Sequence, residues 1–221
     1  MNPTPHIWAF DHLADALAAG LARAERDLAD EQAVHGLDIR RELDIHPILH
    51  TSLRAAGYGV APEQRFPRDR VHRRRSVGAR CDLVITPNAL PLADDAVQPD
   101  LFTPTNTIPL TEALWLEVKT VAQFHPTGPH RDYAQALQSP VWKDARKLAE
   151  DPQIRQAGVL LILFTVDRPT ADHDLGVWSI GARARGLPIS PREQRDLPIV
   201  DRIGNRLCTV ALFPIQPYTL L

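Results

Sequence analysis

The chain has 221 residues, of which 44% are hydrophobic and 24% charged, and its formal net charge is −2 at pH 7. These values are typical of one globular domain with a sizeable core, and the net charge alone does not indicate a nucleic-acid partner. The two cysteines exclude a disulfide framework or a zinc knuckle and suit a reducing compartment, so we expect a cytoplasmic protein. No signal-peptide pattern precedes the domain, and the longest apolar run, residues 157–166, is too short to span a bilayer, so we expect no membrane association.

The apolar periodicity predicts two helices at the start of the chain. Residues 7–33 and residues 37–56 both repeat apolar side chains at helical spacing. Pro47 interrupts the second pattern, so either the helix kinks there or a new helix begins there. We assign residues 1–36 to an N-terminal helical arm and residues 37–221 to the main domain.

The remainder of the chain predicts a mixed β-sheet with one central helix. A long loop covers residues 87–109, a helix covers residues 132–150, and the polar residues 181–198 are predicted to be irregular. The order of these elements is that of an α/β fold with a mixed sheet. Strands are predicted at residues 58–66, 77–86, 112–121, 157–166, 175–180 and 207–214.

Charged residues interrupt two of the apolar strands. Asp82 leads the run Leu-Val-Ile, and Glu117 and Lys119 project to the same side of their strand because strand faces alternate with a period of two. If the two strands pair, two carboxylates and one ammonium group can converge. Burying them costs several kcal/mol unless something offsets the charge, and a divalent cation would do so.

A dense cluster of arginines follows the first predicted strand. Seven arginines and one acidic residue, Asp69, lie between residues 65 and 80. In a chain that is near neutral overall, such a cluster is a local anion-binding feature, and a solvated loop is the alternative. We expect nucleic acid to contact four of these arginines: Arg73, Arg74, Arg75 and Arg80.

Two lysines and two histidines on the predicted helices leave alternatives open. Lys143 and Lys147 share one helix face, which either lines a nucleic-acid cleft or is an ordinary solvated face. His46 and His50 are also four residues apart, a spacing that can bind a metal. Because no cysteine or third histidine lies at a matching spacing, we interpret the histidine pair as a solvated helix face.

The acidic residues and their order resemble the PD-(D/E)xK nuclease superfamily. The matching residues are Glu42 on the second helix, Asp82 within Arg-Cys-Asp-Leu-Val-Ile, and the tripeptide Glu117-Val118-Lys119. A helix and a buried strand follow the tripeptide, as in that superfamily, and Cys81 takes the place of its motif proline. The resemblance covers roughly residues 37–166 and implies a restriction-endonuclease-like core, a mixed sheet flanked by helices.

The resemblance also implies a set of catalytic and metal-binding residues. Mg²⁺, for which Mn²⁺ can substitute, would be held by Asp82, Glu117, Glu42 and the backbone carbonyl of Val118. Lys119 would orient or deprotonate the attacking water, and we expect its pKa to be lowered beside the cation. Asp82, Glu117, Lys119 and Glu42 are therefore the expected catalytic residues. Asp38 and Asp44 compete with Glu42 for the position of the helix acid.

The activity implied by this resemblance is the metal-dependent endonucleolytic hydrolysis of DNA. We expect a homodimer, with the N-terminal helix as the candidate interface, and a role in bacterial defence or repair, with or without a partner subunit. A non-catalytic nucleic-acid-binding or scaffold protein on the same fold is the main alternative. A hydrolase of another phosphate ester is a third possibility.

Overall fold

A six-stranded mixed sheet lies at the centre of the structure, a computed structural model that describes residues 7–71, 78–93 and 106–218. The α-helices of these ranges are α1 (Phe10–Asp30), α2 (Glu42–Ala55), α3 (Tyr133–Glu150) and α4 (Arg168–Ala184). The strands are β1 (Gly59–Arg65), β2 (Arg80–Thr86), β3 (Leu114–Ala122), β4 (Phe124–His125), β5 (Gly128–Pro129), β6 (Gln156–Thr165), β7 (Glu193–Pro198) and β8 (Leu207–Ile215). None of the helices in the described ranges combines the length and the apolar character that a membrane crossing requires.

The order of the strands in the sheet is β1–β2–β3–β6–β8–β7, and β4 and β5 form a separate hairpin. β3 and β6 are parallel, and α3 connects them, as a parallel pair requires a crossover. The remaining neighbours are antiparallel. The expected α/β architecture with a mixed sheet flanked by helices is therefore confirmed.

Each face of the sheet is covered by two helices. α3 and α4 pack on one face around Trp115, Trp178 and Phe213, and α1 and α2 pack on the other face. The central strand β6 is buried on both faces, because helices cover both sides of a parallel pair. The β2–β3 ladder covers residues 83–85 and 114–116, and side chains from both layers can meet where this pairing stops.

The apolar face of α1 is buried within the chain. Leu13, Leu17 and Leu21 have no exposed surface and pack in the core that α1 forms with α2 and the sheet. The face that made this helix the candidate dimer interface is thus covered by the same chain. The homodimer itself stays a prediction.

One predicted strand is wrong. Residues 175–180 lie inside α4, which buries Ala171, Leu175, Trp178 and Ala182 at helical spacing. The start signals of this helix precede the apolar run, since the Asp167 carboxylate accepts a hydrogen bond from the Thr170 N–H at 2.9 Å. Without the helix cap, the length of the apolar run at residues 175–180 does not separate a strand from a buried helical segment.

The irregular segment predicted at residues 181–198 contains the edge strand β7. Its sequence, Glu-Gln-Arg-Asp-Leu-Pro, is polar, as is common on exposed sheet edges. Pairing with β8 and an ion pair of 2.5 Å between Arg195 Nε and Asp15 Oδ1 of α1 hold it in place. These contacts lie far apart in sequence, so the local pattern could not indicate them.

Pro47 lies inside α2 and not at its beginning. The helix starts at Glu42 and continues past the proline to Ala55. Proline removes one backbone donor from a helix, and the packing of Ile45, Leu49 and Leu53 in the core offsets that loss. The uninterrupted helix places Glu42 and His46 one turn apart on the same face.

Candidate active site

The expected meeting of Asp82 and Glu117 occurs at the junction of β2 and β3. The antiparallel ladder pairs Leu83 with Leu116, and the next residues along the two strands are Asp82 and Glu117. The Asp82 carboxylate oxygen Oδ2 accepts a hydrogen bond from the Val118 N–H at 2.8 Å. The negative charge of Asp82 also contributes to raising the pKa of Glu117, as expected of two neighbouring carboxyl groups. Two carboxyl groups from separate strands therefore share one location, which requires a proton or a cation between them.

Glu117 is the most deeply buried carboxyl group of this site. Glu117 is 3% exposed, and its side-chain oxygen Oε1 has no hydrogen-bond partner. Burial, with the negative charges of Asp82 and Asp144, raises the pKa of Glu117 to about 9. The chain without a cation therefore keeps a proton on Glu117 at neutral pH, and an incoming cation has to displace it.

Lys119 lies among carboxylates. Its Nζ donates to Glu42 Oε1 at 3.1 Å and to the Val118 carbonyl at 2.9 Å, and it is 3.5 Å from Asp144 Oδ2. Burial alone would lower the pKa of Lys119, but the carboxylates of Glu42, Asp82 and Asp144 outweigh it and raise the pKa. Without a cation the pKa of Lys119 is thus raised, because several acidic groups surround the ammonium group. The lowering expected beside a cation stays a prediction.

Of the three candidates for the helix acid, Glu42 is the one that reaches the site. It is the first residue of α2, and its Oε2 accepts a hydrogen bond from the Thr120 N–H at 3.1 Å. Asp44 instead forms an exposed ion pair of 3.0 Å with Arg41. Asp38 is buried elsewhere, where it accepts a hydrogen bond from Asn205 Nδ2 at 2.9 Å.

His46 belongs to the site, and its interpretation as part of a solvated helix face is wrong. The residue is only 5% exposed, because this face of α2 packs toward the sheet. One of its ring nitrogens and one carboxylate oxygen each from Glu42 and Asp82 lie within 4.8 Å of one another. Glu117 is not a member of this compact group. The spacing of four residues from Glu42 was the available signal, since it puts both side chains on one face of a helix.

Asp144 is a site residue that the sequence analysis missed. It lies on α3, is 8% exposed, and bonds to Lys147 Nζ through Oδ1 at 2.5 Å while Oδ2 faces Lys119. A carboxylate beside Val141 and Ala145 on the buried face of a helix was the signal that could have found it. Lys147 consequently lies at the acidic site, whereas Lys143 is exposed on the same helix.

The expected nucleic-acid-binding arginines are only partly described. Arg73, Arg74 and Arg75 lie outside the described residues. Arg80 is exposed at the start of β2, two residues before Asp82, and its Nη1 donates to the Glu63 carbonyl at 2.7 Å. A cationic side chain thus lies on the strand that carries the central carboxylate.

Comparison with protein-family models, with curated proteins and with solved structures gave no significant match for this chain. The chemistry of the site is therefore argued from its own donor atoms. The oxygens of Asp82, Glu117 and Glu42, with the Val118 carbonyl nearby, are the hard donors that Mg²⁺ and Mn²⁺ bind. The unpartnered Oε1 of Glu117 is a buried acceptor that such a cation would satisfy.

Proposed function

We propose that the chain is a metal-dependent nuclease of the PD-(D/E)xK type that hydrolyses phosphodiester bonds of DNA. The observation that carries this proposal is the convergence of Glu42, Asp82, Glu117 and Lys119, which three separate elements supply in the order of that superfamily. Surface charges seldom form such a buried group of carboxylates with a lysine, because each buried charge costs several kcal/mol. A function at this site would explain why such a costly group of buried charges is present.

Asp82, Glu117, Glu42 and the Val118 carbonyl would hold the cation. When bound, Mg²⁺ supplies Lewis acidity and lowers the pKa of its water, which gives a nucleophile at neutral pH. Lys119, which donates to Glu42 and to the Val118 carbonyl, would orient that water. Its raised pKa favours a protonated side chain that stabilises negative charge on the phosphate, over a role as base.

The exposed Arg80 and Lys143 flank the site on β2 and α3 and would contact the phosphate backbone. We further propose a homodimer, since two sites can then meet the two strands of a duplex, and a cytoplasmic role in bacterial defence or repair. A partner subunit that selects the DNA would be consistent with the near-neutral net charge.

A non-catalytic nucleic-acid-binding protein on the same fold is the second candidate. It is favoured by the fact that both carboxylate oxygens of Glu42 already accept hydrogen bonds, from Lys119 and from the Thr120 N–H. A site that is neutralised by its own lysine has less need of a cation. This candidate predicts salt-dependent DNA binding without turnover.

The experiment is the cleavage of supercoiled plasmid DNA by the full chain with Mg²⁺, with EDTA, and by Lys119→Met. We expect nicking or linearisation with Mg²⁺ alone, and a loss of at least about 100-fold in Lys119→Met, because an electrostatic contact to the transition state is removed. Arg26→Met is the control, since Arg26 is exposed on α1 and is not among the residues proposed to bind the cation or the DNA, and it should keep its turnover. Full activity of Lys119→Met contradicts the mechanism, and DNA binding without any cleavage supports the second candidate.

A further inference from the structure

The imidazole of His46 is buried beside the candidate active site, and it is not among the oxygen ligands proposed above for Mg²⁺. His46 is only 5% exposed, and its Nε2 is buried with no hydrogen-bond partner. Burying an unpaired polar nitrogen costs roughly 1–3 kcal/mol. Because the ring also approaches the carboxylates of Glu42 and Asp82, a bound cation would explain both observations.

His50 provides an internal comparison for this histidine. It lies one turn further along α2, its ring centroid is 6.1 Å from that of His46, and its Nε2 is likewise buried without a partner. His50 does not belong to the compact group of Glu42, His46 and Asp82. Of these two histidines, His46 alone belongs to a group in which a ring nitrogen and two carboxylate oxygens lie within 4.8 Å of one another.

The donors around Asp82 separate into two sets. One set, in which Glu117, Glu42 and the Val118 carbonyl join Asp82, contains only oxygen atoms. The other set, Glu42, His46 and Asp82, contains two carboxylates and one imidazole, and it does not include Glu117. Asp82 and Glu42 are common to both sets, and a carboxylate shared in this way would serve two neighbouring cations, as in two-metal hydrolytic sites.

We propose that Glu42, His46 and Asp82 form a second cation subsite that takes a first-row transition-metal dication in preference to Mg²⁺. Mg²⁺ prefers oxygen ligands in octahedral geometry, whereas imidazole favours transition metals. Mn²⁺ accepts both kinds of donor and is the probe for this subsite. Calling this site a second subsite rests on the proposed nuclease function, in which Asp82 and Glu117 hold the first cation. The binding of a cation by Glu42, His46 and Asp82 does not depend on that function.

The first test is calorimetric titration of the metal-free full chain with Mn²⁺ and, separately, with Mg²⁺, in the absence of DNA. We expect tighter binding of Mn²⁺ than of Mg²⁺ by wild type, and a loss of about 10- to 100-fold in Mn²⁺ affinity in His46→Gln. The affinity for Mg²⁺ should change by less than about 3-fold in that variant, because imidazole is not among the donors that Mg²⁺ prefers. Unchanged Mn²⁺ affinity in His46→Gln overturns the proposal.

His50→Gln is the matched control on the same helix, and it should retain the Mn²⁺ affinity of wild type. An equal loss of Mn²⁺ affinity in both variants would indicate disturbance of α2 and would overturn the assignment to His46. Far-UV circular dichroism of the variants checks that each keeps the helical content of wild type.

A second measurement needs no variant. Electron spin-echo envelope modulation of the Mn²⁺-loaded wild type detects the nuclear coupling of a directly bound imidazole nitrogen. We expect this nitrogen coupling, and its absence at full Mn²⁺ occupancy overturns the proposal. Neither measurement uses DNA or turnover, so an inactive chain with the coupling would refute the nuclease and keep the subsite. A Mg²⁺-dependent nuclease without the coupling would refute the subsite alone.

Discussion

Two groups of buried charges in this protein differ in their access to solvent. The first ties α1 to the segment after β7: Arg202 Nη1 lies 2.7 Å from Glu25 Oε1, and these side chains are only 10% and 6% exposed. The second is the candidate active site, where Lys119 and Glu42 pair at 3.1 Å with side chains that are 21% and 30% exposed. The first group is closed to solvent, and the second opens to it.

The partners of the two groups differ as well. In the closed group, Arg202 also donates to the Ala33 carbonyl, and Glu25 also accepts from the Val200 N–H, so the charges fasten backbone segments to one another. In the open group, carboxylates from three elements surround Lys119, and two of these carboxylates also lie close to the His46 imidazole. Burial of an acidic residue is therefore a poor indicator of function by itself. Access from solvent, together with mixed donor atoms, is the better one.

The sharpest way to break this comparison is to remove one carboxylate from each group. We expect Asp82→Asn to reduce plasmid cleavage by at least about 1,000-fold, roughly 4 kcal/mol of transition-state stabilisation, because Asp82 is common to both sets of donors. Asp38→Asn, next to Glu25 and Arg202 of the closed group, should keep its cleavage rate, because Asp38 is buried away from the candidate site. Burial raises the pKa of Asp38, since it disfavours the charged carboxylate. Comparable rates for Asp82→Asn and wild type would refute the role of Asp82.

The opposite effect is expected in the closed group. Arg202→Met should lower the free energy of unfolding by about 3 kcal/mol, because it leaves the Glu25 carboxylate buried and unpaired. Urea unfolding at pH 7 measures this change, and Mn²⁺ titration of the folded variant should match wild type. A loss of stability below about 1 kcal/mol would show that the closed group does not carry the structural role assigned to it.

Replacing Glu117 should change the free energy of unfolding in the opposite direction to Arg202→Met. The pKa of Glu117 is raised from 4.5 to about 9, so between these values the folded chain binds a proton that the unfolded chain has released. Stability without a cation should therefore fall as the pH rises through this window. Glu117→Gln should remove this slope and raise the free energy of unfolding at pH 8 above that of wild type.

The measurement is urea unfolding in EDTA at several pH values from 5 to about 9. Glu112→Gln is the matched control, since Glu112 lies just before β3 and is not part of the site. Equal slopes in Glu117→Gln and wild type would contradict a buried, protonated carboxyl group at this position.

The smallest effect is expected at the rim of the open group. Lys143→Ala should weaken DNA binding and reduce the slope of log affinity against log salt by about one, because one phosphate contact is removed. Arg26→Ala is the control, since Arg26 is exposed on α1, which packs on the face of the sheet opposite to α3 and Lys143. Fluorescence anisotropy with a labelled duplex measures both variants. An equal change in the control would place the DNA elsewhere.

The sequence predicted the parts of the fold that short-range patterns control. Most strands and three of the helices follow from apolar periodicity, since each element buries its own apolar face. β7 was not predictable, because its polar residues are ordered by pairing with β8 and not by their own pattern. α4 was predictable from Asp167 and Pro169, which are typical of a helix start.

The candidate site was predictable to a similar extent. Asp82, Glu117 and Lys119 stand out because each is charged within an apolar strand, and Glu42 follows from the order of elements. Asp144 could not be recognised in the same way, because its partner Lys119 lies on another element and only the packing of α3 on β3 brings the two together. The raised pKa of Lys119 likewise depends on contacts across three elements.

The position of a bound cation tests the candidate site most directly. Crystals of the full chain soaked in Mn²⁺ and measured at the manganese absorption edge give an anomalous map that locates the ion without reference to activity. We expect a peak at the carboxylate of Asp82, within reach of Glu117 or Glu42 and with Lys119 alongside. A map with Mn²⁺ peaks elsewhere on the protein and none at Asp82 would contradict a metal-dependent active site at the junction of β2 and β3.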